Sequence, residues 1–98
     1  MQKIAFDRYV LDVLMPDLVG HDKRPAAFVV YLFLLTAAAH SKRDVVAASL
    51  QPIAVKTGLS KSTVQAALRH LKRRGLVDPG LAATSADPRR RVLRPWVR

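Results

Sequence analysis

The tightest constraint on this chain lies between residues 50 and 75, where two helical patterns are separated by only Gly58, Leu59 and Ser60. Gly58 can take the left-handed conformation that ends the first helix, Leu59 can drop into the core, and Ser60 can cap the next helix with its side-chain oxygen. Helices joined this closely must cross steeply. In the second helix Val64, Ala67, Leu68 and Leu71 form an apolar stripe, Lys72, Arg73 and Arg74 suit the negative carboxyl end, and Gly75 terminates it. The first helix is expected from about Leu50 to Thr57, with Ser49 as cap and Pro52 in the first turn, where its missing amide hydrogen costs little.

The flanking segments have to complete one core, because 98 residues, half of them hydrophobic, leave little room for a second. Phe6, Tyr9, Val10, Val13 and Leu14 recur at helical spacing and predict a short amphipathic helix that Pro16 ends. A bend containing Gly20 leads into PAAFVVYLFLLTAAA, from Pro25, which predicts a helix reaching His40 or Ser41. That helix is apolar nearly all round but shorter than the roughly 20 residues a membrane span needs, so burial between helices or at a subunit interface is expected. Lys42, Arg43 and Asp44 read as a charged turn before a very short strand at Val45 and Val46. After Gly75, Leu76 and Val77 begin a strand that Asp78, Pro79 and Gly80 interrupt. The stretch LAATSADP reads as a loop, and Arg89 to Val97 as a returning strand.

Charge narrows the class of partner. Lysine and arginine number 17 against 7 acids, a net charge of +10, and the excess is uneven. Residues 1–60 hold 7 basic and 5 acidic residues, whereas 61–98 hold 10 and 2. Such a balance favours a polyanionic partner, and it coincides with the helix pair and the strand–loop–strand that follows.

The segment IAVKTGLSKSTVQAALRHLKRRGLV, Ile53 to Val77, resembles the DNA-reading half of bacterial winged helix regulators, particularly the GntR-like and MarR-like groups. The likeness rests on joint spacing: Ala54, Gly58, Leu59 and Ser60 at the turn, Thr63 and Val64 beyond it, and Leu68, Leu71, Gly75 and Leu76 at the end. It implies a mainly α fold with a small β-hairpin, a winged helix-turn-helix with an additional N-terminal helix. Residues 1–20 would then form that helix, a candidate dimerisation element, and 25–98 the DNA-binding domain. By the resemblance, groove-facing and phosphate-facing positions fall on Lys61, Ser62, Thr63 and Gln65, with Arg69 one turn on and Gln51 in the preceding helix. The spacing agrees: with Val64, Leu68 and Leu71 inward, Ser62, Gln65 and Arg69 lie on or near the opposite face. Gln65 suits bidentate pairing with adenine, and Arg69 a guanine edge or a phosphate. Ser60, Lys72 and Arg73 at the two ends of the helix join the expected contacts. Arg89, Arg90, Arg91 and Arg94 are expected to anchor the wing on the backbone or the minor groove.

Other chemistries lack their residues. No cysteine is present, so neither a disulfide framework nor a thiolate ligand exists. His21, His40 and His70 are scattered without zinc-site spacing, and every acid is an aspartate outside any paired motif. A non-enzymatic protein without metal or cofactor is expected, and the start of the chain lacks the pattern of a signal peptide. The readings that follow are a small bacterial transcriptional regulator, cytoplasmic and nucleoid-associated, that binds double-stranded DNA as a homodimer through its N-terminal helices. The length leaves no room for an effector domain, which suits a minimal regulator of plasmid, phage or mobile-element type. Alternatives from the same pattern are a protein–protein adaptor, a replication or partition accessory protein, and an RNA binder. An adaptor would need an apolar face where Lys61, Ser62, Gln65, Arg69 and Lys72 stand, and the aromatic content of 6% offers few stacking platforms for RNA bases.

Overall fold

A computed structural model describes residues 3–41, 44–80 and 89–97. Two π-helical segments, Val10–Leu14 and Pro16–His21, precede α1 (Pro25–Ser41), β1 (Val45–Ala47), α2 (Leu50–Thr57), α3 (Lys61–Arg73) and β2 (Arg89–Arg91). The architecture is mainly helical with a small antiparallel sheet, a winged helix-turn-helix. Among the described residues no helix is long and apolar enough to cross a membrane. Lys42, Arg43 and the expected loop over residues 81–88 lie outside the described residues.

α1 is the hub. Ala27, Phe28, Val30, Tyr31 and Leu34 are buried, while Leu32, Phe33, Leu35, Ala37 and Ala38 are half-buried against the same core. The second π-helical segment, α2, α3 and β1 all pack on it, and this explains a helix apolar on nearly every side. Tyr31 is fully buried and donates its hydroxyl to the Leu93 carbonyl at 2.6 Å, which ties α1 to the chain after β2. Burial pushes the Tyr31 hydroxyl well above the usual tyrosine range, so it stays protonated and keeps donating.

Pro16 does not end the first helix, contrary to the sequence expectation. The coil continues to His21 by widening, with the Met15 N–H bonded to the Val10 carbonyl and the Asp22 N–H to that of Asp17. Pro16 opens the second wide segment, a position whose amide hydrogen needs no helical partner. Val10, Leu14 and Leu18, four residues apart, fall on one buried line.

The wing also differs from a simple hairpin. β1 pairs antiparallel with β2 in the register Val45↔Arg91, Val46↔Arg90 and Ala47↔Arg89. The strand's other edge meets the chain leaving α3 through a Val77↔Val92 bridge, with Asp78 N–H on the Arg91 carbonyl and Leu93 N–H on that of Leu76, both at 2.9 Å. The returning strand stops by Val92 rather than running to Val97. Beyond it Trp96 stacks on Tyr9 with ring centroids 4.8 Å apart, and its Nε1–H donates to Asp7 at 2.9 Å.

Candidate nucleic-acid interface

The turn between α2 and α3 is built as its residues dictate. Gly58 closes α2 at φ +79°, a conformation that an L side chain rarely adopts, and its N–H caps the Ala54 carbonyl. Leu59 is half-buried against the core. Ser60 is extended, and its Oγ accepts the Thr63 N–H at 3.1 Å while donating to the Thr63 hydroxyl at 2.8 Å. Ser49 takes the corresponding extended conformation before α2, but its side chain makes no capping bond. α3 is therefore the better fixed of the two starts. Gly75, at φ +71°, reverses the chain after α3.

Burial divides α3 into two faces. Val64, Ala67, Leu68 and Leu71 are buried, with Val64 and Leu71 fully so. Lys61, Ser62, Gln65 and Arg69 are exposed on the other side, joined by exposed Arg73 and half-buried Lys72. Thr63 is half-buried, with its hydroxyl engaged by Ser60. Gln51 is exposed near the start of α2. Among the described residues Lys61, Arg69 and Lys72 have no carboxylate partner, so their charges are available.

The wing arginines are not equivalent. Arg90 faces inward, 8% exposed, and its Nε donates to the Ala48 carbonyl at 3.2 Å. Burial lowers its pKa from the free guanidinium value. Arg89 and Arg91 alternate to the exposed side. Arg91 lies 3.9 Å from Asp78, and Arg94 lies 3.6 Å from Asp44. The outward arginines of the wing thus include two that already face an acid.

Sequence spacing gave no sign of what holds α3 from behind. His21 and His70, 49 positions apart, converge on Asp22, whose oxygens lie 2.9 Å from His21 Nδ1 and 2.7 Å from His70 Nε2. Arg74 bridges Asp22, at 3.0 Å from its Nε, and Asp17. The Asp22 side chain is only 8% exposed. Its carboxyl is held below the usual range first by the hydrogen bonds from His21 and His70, then by Arg74, against the opposing effect of burial. Among the described residues, one ligand atom each from Asp17, His21 and Asp22 lies within 4.8 Å of the others, a grouping the scattered histidines had not suggested. Arg74, read from sequence as a partner of the helix carboxyl end, is instead the cation that docks the second π-helical segment on α3.

Residues 34–79 match the IclR helix-turn-helix domain, a span from the second half of α1 through α3 to the chain leaving it. Over that span the chain is similar to a DNA-binding helix-turn-helix of transcription regulators, of the IclR type and not of the GntR-like or MarR-like groups that its motif suggested. The turn and cap spacing is shared among such domains, which is why it identified the module but misassigned the group. No curated protein and no solved structure gives a significant match to the chain.

Proposed function

We propose that this protein regulates transcription by reading specific duplex DNA sequences with α3 in the major groove. The observation that carries the reading is the outward face of α3, where Lys61, Ser62, Gln65 and Arg69 are exposed on a helix capped at one end and packed along its other face. A helix so presented fits the major groove, and a mixture of amide, hydroxyl and cationic groups suits base edges and phosphates together. An adaptor surface would be apolar at these positions. Gln51 and Arg73 flank the contact, and Arg89 and Arg91 contribute through the wing, while Arg90 is left out because it points into the protein.

The same reading includes a homodimer acting on DNA in a bacterial cytoplasm, at the nucleoid. Leu11, Val13, Met15 and Val19 on the N-terminal segments are 38–49% exposed, and this supports pairing through that region. Two-fold pairing would set two α3 helices about 34–36 Å apart, one turn of DNA. Selection of bound duplexes from a random pool tests both claims. The expected result is a defined, palindromic site. Recovery of duplexes without any shared sequence would overturn sequence-specific reading.

A further inference from the structure

A shallow groove runs beside the start of α3 and had no place in the sequence reading. Arg24, Ala26 and Ala27 line one bank, and Ser62, Thr63 and Ala66 the other. Small side chains on both banks keep the groove open, and Ser62 belongs at once to the groove and to the outward face of α3. Whatever lies against that face therefore also meets the groove.

The electrostatics of the groove are one-sided. Arg24 is exposed and, among the described residues, has no carboxylate partner, in contrast to Arg74, Arg91 and Arg94. Lys23 precedes it and Lys61 lies next to Ser62, both exposed and likewise unpaired among the described residues. The nearest acid in sequence, Asp22, is turned away to His21, His70 and Arg74. Neither α1 nor α3 has an acid in its first turn.

We propose that this groove seats the sugar-phosphate backbone flanking the bases that α3 reads, with the Arg24 guanidinium on a phosphodiester. The inference rests on the DNA-reading function of α3 and adds a contact outside the helix-turn-helix and the wing. Arginine suits the task because its fork matches phosphate oxygens. A contact of this kind fixes the register of α3 on the duplex and carries no sequence information of its own.

The test uses the whole chain with three substitutions, R24A, A26E and Q65A, and measures duplex affinity against salt on the selected site and on unrelated DNA. R24A should weaken binding on both DNAs alike and flatten the log–log salt slope by about 0.9 unit. The ratio of wild-type to R24A affinity should accordingly shrink about 3.5-fold between 50 and 200 mM salt. A26E places an acid in the first turn of α1, where it favours the helix, so its melting temperature should hold while binding falls further than in R24A. Q65A should lose affinity on the selected site only. If wild type binds and Q65A behaves so, but R24A and A26E keep the wild-type affinity and slope, the groove contact is wrong and the function stands. If wild type binds no duplex at low salt, the function itself falls.

Discussion

The outward face of α3 and the outer edge of the wing are both rich in basic residues, yet they hold their charge differently. On α3 the carboxylates lie behind the helix, where Asp17 and Asp22 bind Arg74 and His70, and Lys61 and Arg69 stay unpaired among the described residues. On the wing the acids sit among the outward arginines, with Asp78 near Arg91 and Asp44 near Arg94, while Arg90 is spent inside. By count of basic residues the two are equal, Lys61, Arg69, Lys72 and Arg73 against Arg89, Arg90, Arg91 and Arg94. Among the described residues the geometry leaves α3, the surface proposed to meet DNA, with its charges free of carboxylates, and the wing a surface whose charges must first leave a partner.

The sharpest way to break this contrast is to remove the acid behind α3. Asp22→Ala should cost about 3 kcal/mol at neutral pH, because Arg74 and His70 lose a nearly buried partner. The pH dependence has a fixed sign. A carboxyl held below its ordinary value near 3.8 adds stability that is fully present above that value and is lost as pH falls through the lower folded value. Denaturant melts should therefore show wild type and variant converging as pH drops below about 3.8. A stability difference independent of pH would show that packing, not charge, joins the two segments.

Next in size is Arg90→Ala, expected to lose about 2 kcal/mol of stability by leaving the buried Ala48 carbonyl without its donor and by removing a packed side chain. If folding is instead unchanged and duplex affinity drops, Arg90 belongs with the outward arginines. Arg69→Ala should reverse that pattern. Its stability should move by less than about 0.5 kcal/mol, while binding to the preferred site loses about 1–3 kcal/mol if a guanine edge is read. The smallest effect is expected from Asp78→Asn, which releases Arg91. Duplex affinity should rise on all sequences by less than about 1 kcal/mol, as the loss of an exposed pair allows. An unchanged affinity and salt slope would mean that Arg91 does not reach DNA.

How far the sequence revealed this arrangement follows from the range of the forces involved. The α2–α3 junction was legible because its determinants are local: Gly58 and Gly75 at positive φ, Ser60 on the Thr63 amide, and the buried stripe of α3. The inward turn of Arg90 had a signal, the two-residue alternation of a strand, but a run of three arginines conceals which phase faces in. The widened first helix had none, since periodicity does not separate Pro16 as a stop from Pro16 as the start of a second segment. Asp22 with His70, and Arg24 beside Ser62, are juxtapositions made by the packing of α1 and its preceding turn against α3, and no spacing rule reaches across them.

The stacked pair of Tyr9 and Trp96 gives the protein a built-in optical reporter. The chain has a single tryptophan, and its indole lies at the seam between the segment before the first helix and the segment after β2. Its emission thus reads whether that seam is closed, without a label.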